Sequence, residues 1–225
     1  MPAQHWSIEA LERRSADLAP LVQNQLAAFC AQPEKHALFL NTLSLMEHIG
    51  SRKIMASQSP VDPDHDTLKH LAEEARHAYF FKRAAEKFTE QKLDYADAHT
   101  FAGPSARAYM GRLDAFTAAN MDADAPAQLP YLYMSLVVEL RAIWFYRMYQ
   151  AALAANGSTM SLKSVLAEEE LHLTEMLDHI AGLDGQMDAR LKTLMDFEDG
   201  RFRTLWSAIC AAANDSVNEP REAAE

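Results

Sequence analysis

Six residues in a repeated pattern constrain the fold of this chain of 225 residues more than any other feature. Each copy is a lone glutamate on an apolar stretch followed, 27 or 30 residues later, by a Glu-x-x-His motif. The members are Glu47, Glu74 and His77 in the first copy and Glu139, Glu169 and His172 in the second. Residues three apart on an α-helix lie on the same side, so each motif can direct a carboxylate and an imidazole into one site.

Turn-forming residues lie near the middle of each copy. The first midpoint falls within residues 59–63 (Ser-Pro-Val-Asp-Pro), and the second falls just before residues 155–158 (Ala-Asn-Gly-Ser). A helix rises ~1.5 Å per residue, so a hairpin folded at each turn brings its glutamates to the same height. Four carboxylates and two imidazoles in one layer of a four-helix bundle are typical of a carboxylate-bridged dimetal site. Such mixed O/N ligation favours iron or manganese over zinc.

The composition favours an all-α fold. The chain has only 7 Gly, whereas helix formers such as Ala, Leu and Glu are abundant. A hydrophobic fraction of 49% supplies the core of one domain, expected to span residues 1–225. Cys30 and Cys210 are too few for a disulfide framework, which indicates a reducing compartment and a cytoplasmic protein. No signal segment and no run of the ~20 apolar residues that span a bilayer is found, so no membrane association is expected.

Helical periodicity and the positions of helix-breaking residues predict the order of the helices. Four bundle helices are expected at about 34–57, 62–92, 130–155 and 158–181, with accessory helices at about 7–32 and 186–213. Asp62 as cap and Pro63 in the first turn begin the second bundle helix. Residues 93–129 are too long for a hairpin and predict a crossover with a short helix near 105–120. Gly200 is a candidate break in the last helix.

Two segments resemble the ferritin-like diiron carboxylate superfamily. Residues 73–77 (Glu-Glu-Ala-Arg-His) are similar to its acidic-Glu-x-Arg-His signature. Residues 168–172 (Glu-Glu-Glu-Leu-His) resemble the second copy, with Leu171 where Arg is common. The ordered motifs cover about residues 36–180. This resemblance implies a ferritin-like four-helix bundle with a long crossover and extra N- and C-terminal helices.

The same resemblance implies two iron ions, with manganese as the alternative metal. It assigns Glu74 and Glu169 as bridging ligands, Glu47 and Glu139 as terminal ligands, and His77 and His172 as ligands of one metal each. Glu73 and Glu168 are then carboxylates behind the ligands that orient the imidazole N–H groups. The leucine of the second motif weakens the expected network around its histidine.

The expected function is that of a diiron oxidase or oxygenase, which activates dioxygen to oxidise a small organic substrate and needs an electron donor. The alternatives are a ferroxidase or other iron-handling protein, a peroxide scavenger, and a metal-free helical interaction protein. The net charge of −11 argues against a large nucleic-acid surface. Ferritin-like tRNA hydroxylases and aldehyde-deformylating oxygenases show that small single-chain members of the superfamily exist, so tRNA stays open as a partner, and so does a homodimer.

Each assignment has a simpler alternative. Glu139 could pair with Arg141 or Arg147 on a solvated edge, and Glu47 could be a surface charge. The outer glutamates Glu73 and Glu168 could be solvated neighbours of the true ligands.

Two further residues have alternatives of the same kind. His70, one turn before Glu74, is expected to be a core histidine or a partner behind the ligands, with direct ligation as the alternative. Gly50, one turn after Glu47, is expected to leave space beside the metals for oxygen or an organic substrate. Close helix packing at Gly50 is equally compatible with the sequence.

Overall fold

The computed structural model describes residues 7–57, 63 and 65–215, and every regular element in them is helical. There is no strand in these residues, so the all-α prediction is confirmed. The α-helices are α1 (Ile8–Arg14), α2 (Ala19–Cys30), α3 (Pro33–Ser57), α4 (His65–Thr89), α5 (Gly103–Ala119), α6 (Leu129–Ala155), α7 (Lys163–Leu183) and α8 (Met187–Asp215). Within the described part of the chain, no helix is both long and apolar enough to cross a bilayer.

Two helical hairpins form the centre of the structure. α3 packs along α4, and α6 packs along α7. Asp62, expected to cap α4, lies outside the described residues, and the helix is observed from His65. α4 ends at Thr89 rather than near residue 92, because Glu90 has a φ of 54° in the left-handed region and cannot continue the helix.

α7 begins five residues later than residue 158, where the sequence predicted it. The chain leaves α6 through Gly157, whose φ is 65°. Gln150 of α6 then accepts a hydrogen bond from the Leu162 backbone N–H at 2.6 Å and one from the Ser161 hydroxyl at 3.3 Å. These bonds hold residues 158–162 against α6 outside a helix.

The accessory helices pack around the two hairpins. The N-terminal region expected at 7–32 is divided into α1 and α2, with Ser7 capping α1 and Pro20 in the first turn of α2. α8 continues through Gly200, so the break expected there is wrong. A glycine costs about 1 kcal/mol relative to alanine inside a helix, which the packing of the buried face of α8 outweighs.

The connection between α4 and α6 carries a 3-10 turn at Asp97–His99 and then α5. Asn41 of α3 anchors this connection by donating hydrogen bonds to the carbonyls of Asp94 and His99, both at 2.7 Å. Gly103 begins α5 two residues before the predicted start. A Cβ at Gly103 would lie 2.8 Å from the Thr100 hydroxyl, so a larger residue here would force the Thr100 side chain to move.

A buried ion pair joins α6 to α8. Arg141 donates from Nε and Nη2 to the two oxygens of Glu198 at 2.9 and 2.7 Å, and both side chains are almost fully buried. Tyr109 of α5 donates to the same carboxylate at 2.8 Å, and Arg141 Nη1 donates to Ser15 at 3.1 Å. One guanidinium therefore ties together α6, α8 and the end of α1.

Removing the Glu198 carboxylate should destabilise the protein strongly. Glu198→Ala leaves Arg141 buried without its main counter-charge, and breaking a buried pair in this way costs about 3–5 kcal/mol. Urea unfolding of metal-free protein, followed by circular dichroism, measures the loss. Lys192→Ala removes an exposed i,i+4 pair of the same helix and should cost less than about 0.5 kcal/mol. Equal losses in the two variants would contradict this account of the core.

Candidate metal centre

The structure brings the six predicted ligands together in the interior. All six side chains are buried and come from four different helices. They are Glu47 of α3, Glu74 and His77 of α4, Glu139 of α6, and Glu169 and His172 of α7. Glu47 accepts a hydrogen bond from Tyr146 and is not a surface charge.

The alternative partners proposed for Glu139 are engaged elsewhere. Arg141 binds Glu198, and Arg147 binds Glu170 at 2.9 Å on the surface. Glu139 instead lies 3.2 Å from His70 Nε2.

The buried ligands form two overlapping groups. Within each group, one potential ligand atom of every residue lies within 4.8 Å of the others. The first group consists of His70, Glu74, Glu139 and His172, and the second consists of Glu47, Glu74, His77 and Glu169. Each group of carboxylate and imidazole donors can hold a metal ion, and Glu74 belongs to both.

Two carboxylates lie between the imidazoles. Glu169 places Oε1 3.1 Å from His77 Nδ1 and Oε2 3.2 Å from His172 Nδ1. Glu74 Oε1 lies 3.6 Å from His77 Nδ1 and 3.7 Å from His70 Nε2. Each of these carboxylates therefore contacts histidines from both groups.

The outer nitrogens of two histidines are held by carboxylates from the opposite helix. Glu168 of α7 lies 2.7 Å from His77 Nε2 on α4, and Glu73 of α4 lies 2.8 Å from His172 Nε2 on α7. Because their Nε2 atoms contact these outer carboxylates, both histidines direct Nδ1 towards the interior. Both glutamates are partly exposed and each contacts an imidazole, as expected for carboxylates that orient these rings.

The two contacts between a histidine and an outer glutamate differ in the side chain that lies beside them. Arg76 donates to Glu168, whereas Leu171 occupies the matching position beside His172 and is 45% exposed. The contact between His172 and Glu73 forms without an arginine. The leucine at this position therefore removes a charge from the periphery and leaves the imidazole contact intact.

His70 belongs to the first group of potential ligands. Its Nε2 faces Glu139 at 3.2 Å, and its Nδ1 lies 2.7 Å from the hydroxyl of Tyr131. The sequence signal is a helical stripe, because His70, Glu74 and His77 follow one another at spacings of four and three. Sequence reasoning missed Tyr146, although its position seven residues after Glu139 places both on the same face of α6.

The carboxylates and imidazoles shift one another's proton affinities. Burial, reinforced by neighbouring carboxylates, raises the pKa of Glu47 and of Glu169. Burial alone would lower the pKa of the two histidines, but the carboxylates around them raise it to about 10 for His77 and about 11 for His172. Without a cation, this cluster therefore retains protons that a metal ion would displace.

Two buried atoms test whether a metal fits the site. Glu74 Oε1 and His77 Nδ1 are buried and have no hydrogen-bond partner of acceptable geometry among the described residues. An unsatisfied buried polar atom costs roughly 1–3 kcal/mol. Both residues belong to a group whose potential ligand atoms lie within 4.8 Å of one another, and these donors are the oxygens and nitrogens that divalent cations bind.

An apolar cavity of about 80 Å³ lies against the carboxylate side of the site. All four ligand glutamates line it, whereas none of the three histidines does. Gly50 is part of its wall, as expected, but a Cβ at Gly50 would lie 3.0 Å from Glu74 Oε2. Gly50 therefore makes room for the Glu74 carboxylate itself, and a larger residue there would disturb a potential ligand.

Comparisons of the chain with protein families, with characterised proteins and with solved structures give no match. The structure itself defines an all-helical protein with two buried histidine and glutamate groups that could hold metal ions.

Metal-free protein should lose stability as the pH rises from ~6.5, the ordinary pKa of histidine, towards about 10, the raised pKa of His77. In that window the folded state holds protons that the unfolded state has released, so rising pH favours unfolding. Added Mn²⁺ should raise the melting temperature, and the increase should grow with pH because metal binding displaces the protons. Calorimetry with and without Mn²⁺ at several pH values measures both effects.

The double variant Glu74→Ala, Glu169→Ala provides the control, because both metal groups lose a carboxylate. Its melting temperature should not respond to Mn²⁺. An equal response in wild type and variant would mean that the ion binds elsewhere on the acidic surface.

Proposed function

We propose that this protein is a diiron oxidase or oxygenase of the ferritin-like carboxylate class, which uses dioxygen to oxidise a small apolar substrate. α3, α4, α6 and α7 then form the four-helix bundle, and residues 90–128 form its crossover. The observation that carries the proposal is the pair of buried ligand groups sharing a carboxylate beside an apolar cavity.

In this proposal, Glu74 and Glu169 would help to hold both metal ions, since each contacts histidines of both groups. Glu47 and His77 would hold one ion. Glu139, His172 and His70 would hold the other, with one more imidazole. Carboxylates and imidazoles without cysteine favour iron, with manganese as the alternative.

When two ferrous ions are bound, they supply electrons for the reduction of dioxygen. Hydroxylation of a C–H bond consumes two electrons and two protons from outside the substrate. One oxygen atom enters the product, and the other leaves as water. The chain must therefore exclude bulk water, admit an apolar substrate and hold protons near the cavity.

The walls of the cavity meet these requirements. Phe39, Phe145 and Leu205 line it with apolar surface, which excludes water and favours an uncharged substrate. The polar groups Arg141 and Tyr109 in the same wall are already bound to Glu198 and offer little to a polar ligand.

Tyr146 and Glu47 hold a proton at the edge of the cavity. The Tyr146 hydroxyl donates to Glu47 Oε1, and both side chains line the cavity. Burial and the charge of Glu47 raise the pKa of Tyr146 well above its ordinary value, so the hydroxyl keeps its proton. It can orient the glutamate throughout the reaction without dissociating.

Filling the cavity should impair oxidation of the substrate but leave the uptake of dioxygen unchanged. Ala142 lines the cavity, so Ala142→Leu should occupy substrate space without changing any ligand. Protein loaded anaerobically with two ferrous ions is exposed to dioxygen with ethane or propene as probes, because the cavity of about 80 Å³ admits only small molecules. Wild type should consume oxygen and yield an oxidised product. Ala142→Leu should lose at least about tenfold in product while keeping its iron and its oxygen uptake.

Ala151→Leu, an exposed substitution of the same kind on α6, should behave as wild type. Absence of oxygen consumption by the reduced wild type would reject the oxygenase proposal. Growth of a large ferric mineral core would identify iron storage instead.

A further inference from the structure

A positively charged groove lies on a protein whose net charge is −11. It runs between α4 and the connection from α6 to α7, and its volume is about 580 Å³. Its walls include three cations and three aromatic side chains. These residues, here called the cationic groove, are Arg76, Arg83, Lys87, Tyr79, Phe80 and Phe88.

The cationic groove presents both charge and apolar surface to solvent. Tyr79 is 63% exposed and Phe88 is 40% exposed, high values for large aromatic side chains. Arg83 and Lys87 are exposed and form no ion pair with the residues that the structure describes. Glu86, on the same helix, is engaged elsewhere and accepts a hydrogen bond from the Leu93 backbone at 3.1 Å. The groove therefore offers unneutralised charge to an acidic partner.

A short polar path connects this groove with the metal centre. Arg76 lines the groove and donates to Glu168, whose Oε2 lies 2.7 Å from His77 Nε2. His77 in turn belongs to the second ligand group. Two side chains thus separate a molecule seated in the groove from a metal ligand.

The matching position beside the other histidine lacks this chemistry. His172 also reaches an outer carboxylate, Glu73, but the arginine position there is Leu171. The cavity that would hold the substrate lies on the carboxylate side of the site and is lined by none of the histidines. The groove, joined to His77 on the imidazole side, can therefore be occupied without obstructing the substrate.

We propose that the cationic groove is the docking surface for an acidic one-electron donor protein, which reduces the iron pair through Glu168 and His77. This inference rests on the proposed function. Each reduced donor gives up one electron and is oxidised, and two such transfers convert two ferric ions to ferrous ions. A complementary acidic surface would be attracted by Arg83 and Lys87 and would pack its apolar parts on the exposed rings. A nucleic acid is disfavoured because its affinity depends on many Lys and Arg contacts to phosphates, and the groove offers only three cations.

The test compares the variant Arg83→Glu, Lys87→Glu with a control of equal charge change, Arg13→Glu, Arg112→Glu, on exposed positions of α1 and α5. Ferric-loaded proteins are reduced either by reduced plant-type [2Fe–2S] ferredoxin, an acidic donor, or by dithionite, a small reductant. Stopped-flow absorbance at low ionic strength gives the rate of iron reduction.

With ferredoxin, the groove variant should be reduced at least about tenfold more slowly than wild type, and the control within about twofold. Added salt should slow wild type towards the variant. Dithionite should reduce all three proteins at equal rates. Equal ferredoxin rates in the three proteins, or no reduction of wild type by ferredoxin while dithionite succeeds, would overturn the docking proposal.

Failure of the proposed function would give a different result, because wild type would then fail to load two irons or to be reduced by dithionite. A gel-shift assay with unfractionated tRNA tests whether the groove binds RNA instead of a donor protein. Loss of tRNA binding in the groove variant alone, with unchanged ferredoxin rates, would replace the donor protein by RNA.

Discussion

The burial of four carboxylates in one layer is the constraint on which the rest of the structure depends. Taking these groups out of water raises the pKa of Glu47 and Glu169, and their mutual repulsion must be offset by protons, by histidines or by a cation. His77 of α4 and His172 of α7 offset part of this repulsion, because their raised pKa values keep protons between the carboxylates. A bound cation would offset the rest, and the buried atoms Glu74 Oε1 and His77 Nδ1 have no hydrogen-bond partner among the described residues. Hairpin packing, outer carboxylates and the close approach at Gly50 all serve to hold these groups at fixed distances.

The site has two chemically different sides. The carboxylates face an apolar cavity closed by α3, α6 and α8, whereas the outer nitrogens of His77 and His172 face glutamates nearer the surface. The buried pair of Arg141 and Glu198 fixes α8 against α6 and so maintains the far wall of the cavity. In the proposed oxidase or oxygenase, this division would let substrate and electrons reach the metals by separate routes.

Most of what could be predicted from the sequence came from local features, namely composition and the spacing of motifs and turns. The helical class followed from composition, and the spacing of the repeated motifs with their central turns selected the six residues that the structure brings together. Features that depend on distant residues were not predictable. Glu198 meets Arg141 across 57 residues of chain with no local signal, and α7 starts late because Gln150 of the preceding helix binds the intervening backbone. The cationic groove exists only because residues 158–160 lie alongside α4.

Anomalous scattering tests most directly whether two metals share Glu74 and Glu169, as proposed. Crystals equilibrated anaerobically with ferrous ion are measured on both sides of the iron absorption edge. The account expects two anomalous peaks, one within bonding distance of Glu47 and His77 and the other within bonding distance of Glu139 and His172, with the shared carboxylates contacting both. A single peak, or peaks confined to surface carboxylates, would contradict the dinuclear site.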